Sequence, residues 1–300
     1  MSTAAICKVG IAGLGLMGTA AARRLAQAGF ALSGYDVDPA RGASFAGPGR
    51  RQADSLAQLA RDCEAIVLAV FDTGQVEQAL FGEQGIVPAS QAAGRAPLVV
   101  CLSTCHPGRI AEVWRRCAAL GLPFVEAPIS GTSQTLAKGE AVGLVAGRDE
   151  DLAQAGPLLD ALCPRRHVLG APGDAAKAKL AVNLVLGLNR GALAEGLLFA
   201  ERLGLSPPDF LRVLVDSAAY SRVMEVKGAA MAQGCFDPPQ SRVDQSLKDF
   251  GLILDQAGAQ GQALPFAEIY VQLLQDCVRG GQAGLDNAVI IEAIARRRQG

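Results

Sequence analysis

The feature that most restricts the fold of this chain is Gly13-Leu14-Gly15-Leu16-Met17-Gly18. It lies between an apolar run over 6–12, which reads as a strand, and a helical pattern over 16–28 that Gly29 ends. In a GxGxxG turn the first glycine makes the tight turn and the second lets backbone approach a pyrophosphate. The third lets the helix pack closely on the strand. Unpaired N–H groups and the positive end of the helix dipole then face the phosphates. The pattern is weak alone, and the strand before it and helix after it supply its meaning. A dinucleotide is therefore expected on Gly13, Leu14, Gly15, Leu16, Met17 and Gly18.

Further short apolar runs over 30–36, 65–70, 98–102, 124–127 and 142–146 read as strands, with helices such as 107–120 and 150–162 between several of them. Pro107 suits a first helical turn, where its missing N–H would be unpaired anyway. Strands alternating with helices argue for a mostly parallel sheet. After Gly170 the pattern changes. Residues 174–203 read as one helix without proline, roughly 45 Å long at 1.5 Å per residue. Helical patterns over 207–217, 220–233, 243–258, 264–279 and 286–298 follow, punctuated by Gly204, Pro207-Pro208, Pro238-Pro239 and Gly280-Gly281. The expected fold is α/β: a Rossmann-type doubly wound sheet over 1–170, then an all-helical domain over 171–300. The long interdomain helix joins them, and its N-terminal end marks the expected cleft.

Composition narrows the function classes. Lys plus Arg number 28 against 29 for Asp plus Glu, a net charge of −1, which offers no footprint for nucleic acid and no polybasic membrane patch. Half of the residues are hydrophobic and 19% are charged, enough apolar material for substantial cores. The eight cysteines include no CxxC pair and there are two histidines, so no metal site is expected. The cysteines read as buried small hydrophobes in a reducing cytoplasm. The apolar stretch 4–17 lacks the basic flank of a secretory signal. The stretch 180–200 contains Asn183, Asn189, Arg190 and Glu195, and reads as a buried helix, not a membrane span.

The second strand ends in Tyr35-Asp36-Val37-Asp38, with Asp36 placed 23 residues after Gly13. An acidic side chain there accepts hydrogen bonds from the adenosine ribose and repels a 2′-phosphate. No arginine directly follows, so NAD is expected ahead of NADP. The alternative is that Asp36 or Asp38 caps the helix begun at Pro39, and Asp38 fits that cap better.

Four segments together resemble the β-hydroxyacid dehydrogenase family, which includes 3-hydroxyisobutyrate dehydrogenase and tartronate semialdehyde reductase. The GxGxxG turn is joined by Glu126-Ala127-Pro128-Ile129-Ser130-Gly131-Thr132, which resembles the family's substrate-binding stretch (D/E)APVSGG. Gly170, Gly173, Lys179 and Asn183 resemble its catalytic segment, and Leu247-Lys248-Asp249 its C-terminal Lys-Asp pair. Ser103-Thr104 resembles the Ser-Thr that lies near the nicotinamide ribose, which implies a cofactor contact for Thr104. The resemblance further implies that Lys248 reaches the cofactor or substrate, and that residues 130–132 hold the acid group of a 3-hydroxy acid.

The chemistry can also be argued from the residues. Oxidising an alcohol by hydride loss needs a base for the hydroxyl proton, and the reverse reaction needs the same group as an acid. His106 at a helix start and His167 beside Arg165-Arg166 read as surface residues. A lysine can serve if burial or a nearby cation lowers its pKa from ~10.4. On a helix, Lys179 and Asn183 are about 40° apart and share a face, whereas Lys177 is about 200° from Lys179. Asn183 can then donate to the substrate hydroxyl or orient the ammonium. Lys179 is the expected acid/base, and Lys177 the expected solvated residue.

Ser130, Gly131 and Thr132 offer two hydroxyls and adaptable backbone N–H groups, a cradle for a carboxylate or else an ordinary strand-end turn. Thr132 stands where the family has a second glycine. Ser241 and Gln245 are polar where many relatives carry Phe and Leu, which signals a more polar substrate or a different subunit contact. The expected activity is hydride transfer between NAD and a small 3-hydroxy carboxylate. An imine or semialdehyde reductase on the same fold and a non-catalytic dinucleotide sensor are the alternatives. The apolar helices over 180–198 and 264–274 lead us to expect a homodimer or homotetramer.

Overall fold

The computed structural model describes residues 6–297. They form two compact units, one up to Lys179 and one from Leu180. In the first unit the chain runs β1 (Lys8–Ala12), α1 (Leu16–Gln27), β2 (Ala31–Tyr35), α2 (Pro39–Phe45), β3 (Arg50–Gln52), α3 (Leu56–Asp62) and β4 (Ala65–Leu68). It continues through α4 (Thr73–Phe81), α5 (Ile86–Ala93), β5 (Leu98–Cys101), α6 (Pro107–Ala119) and β6 (Phe124–Glu126). Then come β7 (Ile129–Ser130), α7 (Ser133–Lys138), β8 (Val142–Val145), α8 (Asp149–Leu162) and β9 (Arg165–Val168).

Six strands pair in the order β3-β2-β1-β4-β5-β6, all parallel. The order reverses between β1 and β4, so the loops after these two strands open at the switch point where nucleotides bind in such sheets. β4 and β5 are buried along their whole length, which is why they read as unbroken apolar runs. One face packs on α1 and α8 through Ala21, Leu25, Leu158 and Leu162. The other packs on α3 to α6 through Leu59, Leu80, Ile86 and Ile110.

One expected strand belongs elsewhere. Residues 142–145 do not extend the large sheet but form the centre of a second, three-stranded one, antiparallel to β7 and parallel to β9. A single bridge, Glu126 to Ala146, links it to the end of β6. An apolar run states that a segment is buried, not which sheet buries it.

The second unit begins within α9 (Asp174–Arg202), an unbroken helix as expected. It continues with α10 (Pro207–Asp216), α11 (Arg222–Gln233), α12 (Val243–Ala259) and α13 (Pro265–Arg279). The expected last helix is divided: Asn287–Val289 is a 3₁₀ turn and α14 covers Ile290–Arg296. Asp286 caps the 3₁₀ turn by accepting from Ala288 N–H at 2.9 Å. Position 298 lies outside the described residues.

Gly187 lets α9 approach α12 and α13 closely. A Cβ there would lie 2.3 Å from Phe250 and 3.1 Å from Tyr270, whose rings meet at a tilt of 43° with centroids 4.6 Å apart. The stretch 180–200 is not buried all round, because Val185 and Phe199 are exposed. Six cysteines are buried, but Cys7 and Cys235 are exposed, and all eight are free thiols. Among the described residues no helix is long and apolar enough to cross a membrane.

Candidate active site

The phosphate loop follows β1 at the switch point. Gly13 adopts φ +92°, and a Cβ there would strike the Ala69 carbonyl at 2.6 Å. A Cβ on Gly18 would lie 1.8 Å from the Gly13 carbonyl, so only glycine lets α1 seat on the loop. Gly15 differs, because its missing Cβ would meet nothing nearer than Arg41 Nη1 at 3.8 Å. Gly15 caps α1 without any side-chain hydrogen bond, and the first turn holds no acidic residue. Unclaimed N–H groups beside open space fit a pyrophosphate.

Asp36 closes the loop from behind. Its Oδ2 accepts from Leu14 N–H at 2.6 Å and its Oδ1 from Asp38 N–H at 2.9 Å. Asp38 caps α2 by accepting from Ala40 N–H at 3.0 Å. Sequence reasoning missed Arg41, which no adjacency rule would find. It stands in the first turn of α2, with Nη1 3.7 Å from Asp36 Oδ2 and Nε 3.4 Å from Asp38 Oδ2. The Asp36 side chain is only 6% exposed and that of Arg41 is 46% exposed. At this edge the accessible charges are therefore Arg41 and its partner Asp38, whose side chain is 48% exposed.

After β5, Ser103 Oγ donates to the Val70 carbonyl at 2.8 Å and fixes the loop that carries half-buried Thr104. His106 is half-buried, and its Nδ1 accepts from Arg109 N–H at 3.3 Å as the cap of α6. His167 is exposed on β9.

The strongest convergence lies between residues 126–132 and the start of α9. Lys179 is 7% exposed, and its Nζ donates to the Ile129 carbonyl at 2.7 Å. Lys177 is exposed and pairs with Asp174 at 2.8 Å. Ser130 is half-buried, and Gly131, at φ +150°, turns the chain into α7. Thr132 is the cap of that helix: its Oγ1 accepts from Thr135 N–H at 3.3 Å, and its own N–H donates to Thr135 Oγ1 at 2.8 Å. This local capping box explains a threonine at that position.

Glu126, the first residue of the 126–132 stretch, has a definite place in the structure. It is 1% exposed, and Oε2 accepts from Gly173 N–H at 2.6 Å just before α9. Burial pushes its carboxyl up to about 7.

Asn183, one turn beyond Lys179, belongs to the second unit. Its Nδ2 donates to Asp249 Oδ2 at 2.8 Å, and Lys248 Nζ lies 2.8 Å from Asp249 Oδ1. The polar exchanges before this pair have local partners. Ser241 Oγ accepts from Lys227 Nζ at 3.1 Å, and Gln245 Oε1 accepts from Arg242 N–H at 3.2 Å. Among the described residues no group of three His, Cys, Asp or Glu side chains could hold a metal ion.

Comparison with known proteins identifies the family. Residues 8–170 match the family model of the NAD-binding domain of 6-phosphogluconate dehydrogenase. Residues 173–294 match that of the NAD-binding domain of NADP-dependent 3-hydroxyisobutyrate dehydrogenase. The chain is 30% identical over 287 residues to 2-hydroxy-3-oxopropionate reductase of Escherichia coli (strain K12), covering 96% of this chain and 97% of that protein. It is 31% identical over 285 residues to L-threonate dehydrogenase of Cupriavidus necator, with 95% of each covered. The crystal structure of 3-hydroxyisobutyrate dehydrogenase from Salmonella typhimurium superposes with a TM-score of 0.85 at 29% identity, covering 95% of this chain and 99% of that one. With a nucleotide loop at the switch point, a buried lysine at the start of the long helix and matches along nearly its whole length, the chain belongs to the β-hydroxyacid dehydrogenase family and is an NAD(P)-dependent dehydrogenase.

Proposed function

We propose that this enzyme interconverts a small 3-hydroxy carboxylate and the corresponding semialdehyde or 3-oxo acid, with Lys179 as the general acid/base. The observation that carries the reading is the buried Lys179 ammonium, held 2.7 Å from the Ile129 carbonyl beside the 130–132 turn. A buried lysine on a backbone carbonyl next to a polar turn is wasteful for a structural helix or a sensor. It suits a group that must exchange a proton with a bound hydroxyl.

In this reading Ser130, Gly131 and Thr132 receive the carboxylate. Ser130 offers its hydroxyl, and Thr132 can donate O–H while its lone pair caps α7. Asn183, oriented by Asp249, positions the hydroxyl, and Lys248 serves the cofactor side. The nicotinamide, when bound, supplies the hydride acceptor or donor. The pyrophosphate is assigned to residues 13–18, the adenosine ribose to Asp36 and the nicotinamide ribose to Thr104. NAD is the proposed principal cofactor, and Arg41 gives NADP a lesser foothold. The hydroxylated acids named for the two curated relatives support testing polar substrates beside 3-hydroxyisobutyrate. We place the enzyme in the cytoplasm, consistent with its eight free thiols. We also propose a homodimer or homotetramer, supported by exposed Phe199, Leu203, Val213 and Phe266 in the second unit.

The test is a panel of 3-hydroxy acids with NAD and NADP in parallel, followed by absorbance of the reduced nicotinamide. Lys179→Ala should lower kcat about 10²–10⁴-fold, the usual worth of a general acid/base, with nucleotide binding unchanged. Wild-type turnover in that variant removes Lys179 from the role. Failure of the whole panel, with tight nucleotide binding, would remove 3-hydroxy carboxylates from the reading and favour an imine substrate on the same fold.

A further inference from the structure

We propose that Glu126 is a positioning residue that seats the first turn of α9 and thereby sets the Lys179 ammonium against the 129–132 turn. The proposal rests on Lys179 being the acid/base. Its geometric basis is a double clasp between two short segments. At one end Glu126 Oε2 accepts from Gly173 N–H at 2.6 Å, and at the other Lys179 Nζ donates to the Ile129 carbonyl at 2.7 Å. The attachment points are three residues apart on one segment and six apart on the other, roughly 9 Å along a helix at 1.5 Å per residue. Two clasps at that separation define the helix axis and its rotation, which one cannot.

The backbone around Glu126 is fixed. Its N–H donates to the Ala146 carbonyl at 2.9 Å, its carbonyl accepts from Ala146 N–H at 2.8 Å, and Ala127 N–H donates to Cys101 at 2.8 Å. Gly173 is equally confined, with φ +104° and a would-be Cβ 3.2 Å from the Pro107 carbonyl. Its carbonyl already accepts from Lys177 N–H at 3.1 Å, so its N–H, ahead of the first helical turn, needs an outside acceptor. Glu126 supplies it through one oxygen, while Oε1 is buried with no hydrogen-bond partner. A carboxyl with a proton on the second oxygen suits the site.

That protonation has a sign that can be measured. Burial holds the carboxyl at about 7 against 4.5 in open chain, with Asp174 raising it further and the Gly173 and Ala176 N–H groups and Lys177 opposing. The buried Cys101 thiol faces it from β5. The seated form therefore binds a proton that the opened form has lost, and raising the pH from about 4.5 to 7 favours opening. The limit is roughly 300-fold in the opening equilibrium, the value of a 2.5-unit difference.

Two variants test the proposal in the full-length enzyme. Glu126→Leu fills the space but offers Gly173 no acceptor. It should lower kcat about 10–100-fold, leave the Kd for NADH within about threefold, and speed amide exchange in 173–179 but not in α1. Glu126→Gln keeps an acceptor but cannot ionise. It should hold kcat within about fivefold and remove the excess rise of 173–179 exchange between pH 5 and 7. Wild-type kcat in Glu126→Leu overturns the proposal, as does an unaltered pH dependence in Glu126→Gln, which still decides if the leucine variant does not fold. Lys179→Ala separates the two readings. If it keeps turnover while Glu126→Leu still loosens 173–179, the acid/base assignment fails and the anchor stands.

Discussion

Asp36 and Arg41 show how one side chain can reverse the meaning of another. Read alone, Asp36 is a carboxylate that repels a 2′-phosphate. In the fold both of its oxygens accept backbone N–H groups, and the half-exposed guanidinium of Arg41 lies 3.7 Å away. The arginine partly offsets the negative field and can donate to a phosphate. Arg41→Ala should lower kcat/KM with NADP about tenfold and change that with NAD less than about threefold, on the scale of one charge-assisted hydrogen bond. Steady-state kinetics with both nucleotides check this, and an equal loss with each would assign Arg41 to the pyrophosphate. At this scale the opposite placement of Lys179, buried, and Lys177, exposed, was legible from their helical spacing. Arg41 was not, because its reach depends on the cap that Asp38 gives to α2.

Among elements, the junction of β1 and α1 shows that glycines in one motif have separate tasks. Gly18 has no room for a methyl group, with the Gly13 carbonyl 1.8 Å from its would-be Cβ, whereas Gly15 faces space. Gly18→Ala must push α1 off the loop and should lower both Tm and NADH affinity. Gly15→Ala, at φ −70°, should keep Tm within about 2 °C while NADH affinity falls at least about tenfold, since the methyl group occupies the proposed phosphate approach. Thermal unfolding and fluorescence titration separate the two. Periodicity located β1, β2, β4, β5, β6 and β8 and the helices α1, α6 and α8 to α13, but not the short β3, β7 and β9 nor α3, α4, α5 and α7. The error over residues 142–145 arose because strand pairing is long-range: Val142 pairs with Ser130 and Arg165, not with the large sheet.

Across the whole molecule, the second unit holds an ion pair of Lys227 and Asp286 at 2.7 Å, with both side chains at most 5% exposed. Asp286 also accepts from Gln240 N–H and Ala288 N–H, so one carboxylate ties α11, the segment before α12 and the 3₁₀ turn together. Burial brings the Lys227 ammonium down to about 8. The surface of this unit is less economical. Phe266 is 73% exposed and Phe199 67%, a cost in water that a second copy would relieve. Sedimentation should therefore give a multiple of the 30.9 kDa chain, and Phe266→Glu should shift it toward the monomer. A monomeric wild type at micromolar concentration would refute the oligomer.

The amino-acid sequence by itself determined the alternation of strands and helices in the first unit, the unbroken helix α9 and the glycine turn between β1 and α1. Each of these depends on neighbours within a turn or two, where backbone geometry and side-chain spacing are fixed locally. Tertiary structure alone decided the pairings of Glu126 with Gly173, 47 residues apart, and of Lys227 with Asp286, 59 apart. It also decided which sheet took residues 142–145 and which charge reached the nucleotide edge. Those outcomes depend on desolvation and on partners that only the folded chain brings within hydrogen-bonding distance.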